Sequence, residues 1–522
     1  MGHALKARHA LSRLRRGLAA VLLAAAVAGC SGGAAAPAPG AAARPPGGQQ
    51  GGCAPRDPRV AAPYPISGYW VSPDADACRT RRTVEAMHRI GADTIVVMGQ
   101  RLLPGTGAAG CVVDGQPCDR LAGVRRVFGY EAREDMGDAL LRCPGVDRNV
   151  PGGFQLLFVP CEGTQRDLII VRVADDGVGH LLREAAAFGM KVFPGLPTAP
   201  AQEGRPWLPD LSAMAPLKAL TERVAARYRG RAEVAGVYQA FEMSMRERLR
   251  DDPVLALYRD QHRSVARALP GGTILVSPYF HAHTDRGFPP AKVAAGLAQL
   301  GATRAGSPMA VAVQDGRGTG KVGVFGGDQV EEPVEPGLVP AVGQVRNGQA
   351  YQGSTGDYFA AAARRPVEGV ELWMNVEVFE PAPEAGLCSR PDGPQRGRAA
   401  KERVDRQLAA AAGRVGKVLS YAWDPYLICT ESGRPPLAAE IEARWAEPIV
   451  FGAERSGSGV ALRGHRLEGA ELTFSYRTTS GTTASVPVRG GAVVPFEPVG
   501  LDPAQPWVRA GTARVWHTFR WE

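Results

Sequence analysis

The sequence predicts an α/β protein, a (β/α)8 TIM barrel with insertions, followed by a small all-β domain. From residue 64 onward, short β-rich runs alternate with amphipathic helical patterns, as in a parallel sheet built from strand–helix units. Eight such units occupy about 380 residues, which fits a barrel with insertions. After residue 445 the pattern changes to alternating strands separated by Gly and Ser turns, which predicts a β-sandwich-like domain of about 75 residues.

The composition is that of a folded chain with long loops. Of the 522 residues, 45% are hydrophobic and 22% are charged, which excludes a wholly disordered chain. Gly and Pro number 65 and 43, together about a fifth of the chain, whereas the two average about 12% of a typical sequence. This excess predicts long loops. Five of the nine net positive charges lie within the first 29 residues. Because the remainder carries only +4 and no basic stripe, we expect no nucleic-acid partner.

Residues 1–29 have the three regions of a signal peptide. A basic segment ends at Arg16, and the apolar run that follows is too short to span about 30 Å of hydrocarbon. Small residues then precede Cys30 and resemble a bacterial lipobox, which implies lipid modification of Cys30, palmitate included. We therefore predict a lipoprotein anchored on the extracytoplasmic face of the bacterial cell membrane. The alternative is an ordinary signal peptide followed by a chance cysteine.

Residues 30–63 are rich in Ala, Gly and Pro and predict a disordered tether. Eight further cysteines, an even number in an exported chain, favour disulfides over a metal site. Eight cysteines allow 105 connectivities, and we expect near neighbours to pair: Cys53–Cys78, Cys111–Cys118, Cys143–Cys161 and Cys388–Cys429.

The barrel is predicted to span residues 64–445, and the C-terminal domain 446–522. The strands of the barrel are expected at residues 66–71, 93–99, 191–196, 234–241, 273–280, 309–314, 369–378 and 417–423. A doubly wound open sheet is the alternative. Two insertions follow strands two and six: residues 100–176, interpreted as a disulfide-stapled hairpin, and the Gly-rich residues 316–356. Both extend from the C-terminal mouth, where the loops of a barrel shape its active site.

Two glutamates end inward-facing rows of side chains. Because side chains alternate along a strand, Asn375 and Glu377 share the face opposite the apolar Met374 and Val376, and Glu242 ends the corresponding row of strand four. This placement resembles the clan of retaining glycoside hydrolases, in which strand four carries the acid/base and strand seven the nucleophile. A structural role, as a loop hydrogen-bonder or helix cap, is the alternative for each glutamate.

Other polar and aromatic residues near the strand ends are candidates for binding sugar rings and hydroxyls. They are Trp70, Tyr279, Gln314, Asp315, Trp373, Asn375, Asp424 and Tyr426. Core packing is the alternative for Trp373, and Asp315 and Asp424 have loop-bracing roles as their alternatives.

Five short motifs in order resemble a bacterial family of unknown function, the domain of unknown function four-four-three-four. The family is described as glycoside-hydrolase-like TIM barrels. The motifs are residues 236–242, 276–280, 313–316, 372–380 and 421–426, and the resemblance covers about residues 66–445. The family usually has Tyr or Pro before the glutamate of strand four, whereas Ala240 and Phe241 stand there in this chain. The resemblance implies the fold more firmly than the activity.

The leading hypothesis is a glycoside hydrolase that acts on a polysaccharide or glycan by a two-carboxylate, retaining mechanism. Glu242 is the expected general acid/base and Glu377 the nucleophile, without a metal or organic cofactor, in a monomer. The alternative is a non-catalytic glycan-binding surface lipoprotein. A transporter's solute-binding lipoprotein is a third hypothesis, but it requires two lobes and a hinge, and the sequence contains one barrel's worth of units.

Overall fold

The computed structural model describes residues 53–105, 109–137, 141–381, 388, 396–431, 433–491 and 493–522. The predicted signal peptide, Cys30 and most of the predicted tether lie outside these ranges. Within the described parts of the chain, no helix has the length and apolar character needed to cross a membrane.

Eight parallel strands surround the centre of the molecule. They are β1 Gly68–Val71, β2 Thr94–Val97, β3 Lys191–Phe193, β4 Gly236–Gln239, β5 Thr273–Val276, β6 Met309–Gln314, β7 Val370–Glu377 and β8 Lys417–Tyr421. Their order in the sheet is β3-β2-β1-β8-β7-β6-β5-β4. Parallel bridges from Val192 to Val234 and from Gly195 to Tyr238 join β3 to β4 and close the ring. The barrel prediction is therefore confirmed, and the open-sheet alternative is wrong.

A main helix follows each strand. The main helices are α1 Ala77–Arg89, α2 Gly177–Ala187, α3 Met214–Ala226, α4 Pro253–Ala268, α5 Val293–Gly301, α6 Thr355–Ala363, α7 Lys401–Ala411 and α8 Leu437–Arg444. Two short helices, Val339–Val342 and Asn347–Ala350, lie between β6 and α6. Helix α5 was not predicted from the sequence. Strands β4 and β5 also end earlier than predicted. After β4 the amide of Phe241 bonds to the side chain of Gln239, and after β5 Pro278 has no N–H to donate to a ladder.

At the start of β4 the neighbouring backbone lies so close that the position requires glycine. A Cβ at Gly236 would lie 1.8 Å from the carbonyl oxygen of Thr273, so β4 can pair with β5 only if this residue is glycine. The strands are almost fully buried because side chains fill the barrel and helices cover its outside. This rigid wall holds the residues at the strand ends in place.

The insertion after β2 is larger than the predicted hairpin. Its strands Phe154–Val159 and Arg166–Val173 pair as expected, but they belong to a five-stranded sheet. The additional strands are Leu103–Pro104, Val124–Ala132 and Arg148–Val150. Val124–Ala132 pairs in parallel with Arg166–Val173, a long-range contact that a local hydrophobic pattern does not show.

The C-terminal strands form two facing antiparallel sheets, so the predicted all-β sandwich is confirmed. One sheet contains Ile449–Ser456, Gly459–His465 and Val494–Pro495, and the other contains Glu471–Arg477, Thr483–Arg489, Trp507–Gly511 and Trp516–Arg520. Phe474 and Phe496 stack between them with ring centres 4.0 Å apart. The ring of His517 bonds to the carbonyl oxygen of Ala409, which joins the sandwich to α7.

All four near-neighbour disulfides are confirmed: Cys53–Cys78, Cys111–Cys118, Cys143–Cys161 and Cys388–Cys429. The last pair connects the loop after β7 to the loop after β8 at the mouth of the barrel. Closing loops in this way restricts the unfolded chain and so stabilises the fold.

A buried charge cluster connects α7 to the start of the barrel. The Lys401 ammonium is 0% exposed and donates to Asp405 at 2.7 Å and to Glu447 at 3.1 Å. The Tyr64 hydroxyl donates to the other oxygen of Asp405. Every member of the cluster therefore has a partner, which is the condition under which buried charge is tolerated.

Lys401→Met should lower the free energy of unfolding by about 3–5 kcal/mol, because it leaves the Asp405 carboxylate buried without its cation. The triple variant Tyr64→Phe, Lys401→Met, Asp405→Leu removes all three polar partners and should recover most of that loss. Denaturant unfolding of the three proteins measures both effects. A triple variant no more stable than the single one would contradict this account.

Candidate active site

The two glutamates lie at the carboxyl ends of opposite sides of the barrel. Glu377 is the last residue of β7, and Glu242 follows the end of β4 by three residues. The inward row predicted for β7 is confirmed by its contacts, since the Asn375 amide reaches across to the Ser277 hydroxyl at 3.0 Å. Met374 and Val376 face the helices and are fully buried.

The groups around Glu242 raise its pKa. Its Oε1 accepts a hydrogen bond of 3.0 Å from the amide of Gln314, which also donates at 3.0 Å to the carbonyl oxygen of Ser277. Burial raises the pKa of Glu242, and the negative charge of Glu377 raises it further. The ammonium of Lys321, the Gln314 hydrogen bond and the Arg396 guanidinium act in the opposite direction. The net effect favours the protonated carboxyl, the form that a general acid requires.

Glu377 differs from Glu242 in its hydrogen bonds. One of its oxygens, Oε2, accepts two hydrogen bonds from Thr319: from the backbone N–H at 2.8 Å and from the hydroxyl at 3.2 Å. Two donors on one oxygen stabilise negative charge there. The residue is only 2% exposed, and Thr319 belongs to the loop that follows β6.

Asp315 is a buried anchor rather than a surface sugar ligand. It is 0% exposed, and its Oδ1 accepts from the backbone N–H groups of both Arg317 (3.1 Å) and Glu377 (3.3 Å). The amide of Gln407 donates to its other oxygen at 2.6 Å and also to the Glu377 carbonyl at 3.0 Å. Burial raises the pKa of Asp315, and the charge of Glu377 adds to this effect. The sequence-based proposal of direct substrate contact therefore does not fit its position, and the bracing alternative does.

Three of the predicted binding residues join the glutamates at the mouth. Gln314 and Asn375 contribute the hydrogen bonds above, and Tyr279 carries the Lys321 ammonium over its ring, 3.8 Å from the centroid. Backbone bridges from Tyr279 to Ser244 and Gln314 place it between the ends of β4 and β6.

The two predicted tryptophans lie in the barrel core. Trp70 is 0% exposed and packs edge-to-face on Tyr238 with ring centres 5.7 Å apart. Trp373 lies two inward positions below Glu377, where its ring faces Phe193 and its indole N–H donates to Glu371 at 3.0 Å. Their side chains fill the barrel below the mouth.

The two predicted sugar-binding residues of the loop after β8 differ in exposure. Tyr426 is buried and stacks on Phe379, with ring centres 4.6 Å apart, whereas Asp424 is exposed. Tyr426 therefore supports the wall of the mouth from behind.

Sequence reasoning missed five residues of the site: Ser277, Thr319, Lys321, Arg396 and Gln407. Thr319 and Lys321 lie in the Gly-rich insertion that was placed at the mouth, but no periodic pattern selects one polar residue within a loop. Gln407 lies on α7, and only the packing of that helix on the barrel brings it to Asp315 and Glu377.

Comparison with solved structures finds proteins described as glycoside hydrolases. A candidate alpha-L-fucosidase from Bacteroides thetaiotaomicron is 15% identical with a TM-score of 0.43, covering 77% of this chain and 98% of its own. A glycoside hydrolase family 5 protein from Bacteroides vulgatus is 10% identical with a TM-score of 0.38, covering 87% and 86%. A GH5_18 protein from Streptomyces cattleya, in complex with GlcNAc, is 15% identical with a TM-score of 0.34, covering 74% and 81%.

No family model and no curated protein matches the chain. The resemblance to the family of unknown function therefore stays a prediction. At these identities a substrate is not transferable from the solved structures, and the chemistry of the site has to be argued from its own residues.

Glu242→Gln should stabilise the protein at neutral pH. A carboxyl whose pKa is raised by folding costs stability as the pH rises from its unfolded value, near 4.3, through its folded value. Each unit of that shift corresponds to about 1.4 kcal/mol. Glutamine keeps the hydrogen bond from Gln314 without the charge. The gain, measured by denaturant unfolding, should be present at pH 8 and absent at pH 3.5; a gain that does not change with pH would contradict the burial of Glu242 as its cause.

Proposed function

We propose that the chain is a glycoside hydrolase that cleaves a polysaccharide or glycan by the retaining mechanism. The observation that carries this proposal is the difference in surroundings between two inward glutamates at one barrel mouth. Burial raises the pKa of Glu242, while Oε2 of Glu377 accepts two hydrogen bonds from Thr319. Retaining glycosidases require one carboxyl as acid and a second as nucleophile.

In the first step the Glu377 carboxylate attacks the anomeric carbon, and the bond to the leaving oxygen breaks. Glu242 gives its proton to that oxygen, so the leaving sugar departs neutral and a glycosyl ester forms on Glu377. Esterification removes the negative charge of Glu377, which is one of the causes that raise the pKa of Glu242. The pKa of Glu242 therefore falls at the stage where it must act as a base and take a proton from the attacking water.

The binding of the sugar is assigned to the polar groups that face the same space. Gln314 offers its amide, the buried Asn375 supports Ser277 from one layer below, and Tyr279 with Lys321 above it forms one wall. Asp315 and Gln407 act on the reaction through the backbone of Glu377 and are positioning residues.

We also propose that the protein works outside the cytoplasm, anchored through a lipid on Cys30. Four disulfides support an oxidising compartment, in which such bonds persist. The lipid anchor itself rests on the residues around Cys30 in the sequence.

Azide rescue separates the two roles. On activated aryl glycosides selected from a substrate screen, Glu377→Ala and Glu242→Ala should each lower kcat by about 10³-fold or more. Azide should restore turnover of both, because it replaces the missing nucleophile in the first and needs no general base in the second. The glycosyl azide should have inverted configuration from Glu377→Ala and retained configuration from Glu242→Ala, as read by NMR.

Glu371→Gln is the matched control, since Glu371 lies in the same inward row of β7 but at the other end of the strand. It should leave kcat unchanged. Azides of the same configuration from both alanine variants would refute the assignment. A wild-type protein that binds glycans without turnover would instead support the non-catalytic glycan-binding function.

Asp315→Asn tests the positioning role. Its amide nitrogen must face the Gln407 amide or a backbone N–H, so one of the three accepted hydrogen bonds is replaced by a donor–donor contact. We expect kcat to fall about 10- to 100-fold with KM nearly unchanged. A rise in KM at constant kcat would indicate direct substrate binding by Asp315.

A further inference from the structure

A cleft lies between the barrel and the C-terminal sandwich, away from the two glutamates. Its volume is about 250 Å³. The barrel side consists of the loop 324–329 and parts of α6 and α7, and the other side is the edge strand Trp516–Arg520 with Trp507. At roughly 30 Å³ for each water molecule, the cleft has room for about eight, which is more than a simple inorganic anion needs.

The walls of the cleft carry more positive than negative charge. Arg406, Arg414 and Arg520 line it, and Asp357 is its acidic residue. One Asp357 oxygen, Oδ2, accepts from the Ser354 amide at 2.8 Å and from the Ser354 hydroxyl at 2.7 Å, which caps α6. Asp357 therefore has a structural role that already occupies it.

Arg414 differs from the other two arginines of the cleft in its partners. Its guanidinium donates to the carbonyl oxygen of Ala410 at 3.0 Å, and among the described residues no carboxylate oxygen lies within 4 Å of it. Burial lowers the pKa of Arg414, and the more distant charge of Asp357 acts in the opposite direction. A bound carboxylate would add a counter-charge in direct contact and two parallel hydrogen bonds.

The remaining walls suit a sugar ring. Trp507 and Trp516 are half-buried and contribute apolar surface. The guanidinium groups of Arg509 and Arg406 lie over the Trp516 ring, 5.1 and 6.0 Å from its centroid, and leave its edge to the cleft. The Thr518 hydroxyl and the Arg406 Nε are buried without a hydrogen-bond partner among the described residues. A ligand that carries hydroxyls would give these groups the hydrogen bonds they lack.

The cleft also depends on two glycines of the barrel loop. A Cβ at Gly326 would lie 2.5 Å from the Thr518 hydroxyl, and one at Gly327 would lie 2.3 Å from the Trp507 ring. The loop therefore packs directly against the sandwich and holds the two sides of the cleft together.

We propose that this cleft binds a saccharide unit that carries a carboxylate, with Arg414 as its principal ligand. The site binds without catalysing a reaction, and this proposal does not depend on the hydrolysis proposed for Glu242 and Glu377. In a polysaccharide the same unit would hold the chain against the protein beside the barrel.

Calorimetric titration of the full chain tests the proposal. Oligosaccharides of glucuronic or galacturonic acid are compared with neutral oligosaccharides of the same length and with inorganic sulfate, in a Glu377→Gln background that prevents turnover. The acidic oligosaccharides should bind more tightly than both comparison ligands. Arg414→Met keeps the apolar stem and removes the donors, so it should weaken their binding about 10- to 100-fold. Arg477→Met, which changes an exposed arginine of the sandwich outside the cleft, should not.

NMR of the indole N–H groups of Trp507 and Trp516 locates the ligand and does not require the Arg414→Met variant to fold. Both signals should shift with the acidic oligosaccharide at the calorimetric Kd. Equal affinity for neutral oligosaccharides, equal affinity for sulfate, unchanged binding by Arg414→Met, or indole signals that do not move would each overturn the proposal.

Discussion

Asp315 accepts hydrogen bonds from three N–H donors, and these bonds connect the end of β6 to the end of β7. On one side they shape the turn from which Thr319 reaches Glu377, and on the other they hold the backbone of Glu377 itself. Gln407 closes the network from α7. The geometry of the candidate active site therefore depends on a carboxylate that solvent does not reach.

This arrangement concentrates acidic groups in a small volume. Glu377 acts through its charge on both Glu242 and Asp315, and burial is the largest cause of the raised pKa of each. At Glu242 the opposing effect of the Lys321 ammonium exceeds that of Glu377. Burying carboxyls whose pKa is thereby raised lowers the stability of the fold at neutral pH. The barrel tolerates this because the disulfide Cys388–Cys429 joins the loops at the mouth and because the carboxyl-terminal half of β7 is buried.

The two additions to the barrel have different relations to it. The insertion after β2 has a small hydrophobic core of its own and two disulfides, so it is stabilised internally. The sandwich instead packs on α7 and on the loop after β6, the same elements that support Asp315 and Thr319. A ligand held at the sandwich–barrel boundary and one held at the mouth would therefore contact neighbouring parts of a single loop.

The sequence by itself determined the eight strands, the inward row of β7 and the places of Glu242 and Glu377 at strand ends, because strand periodicity and strand ends are local properties. It also indicated the four disulfides, since near neighbours along the chain meet in short loops. Only the tertiary structure decided that Thr319, Lys321 and Gln407 join the glutamates, that Trp373 fills the core, and that Asp315 is an anchor. Those outcomes depend on how deep a side chain lies in the barrel and on which loop folds over which strand end. Contacts between residues far apart in the chain set both, and no pattern within a segment encodes them.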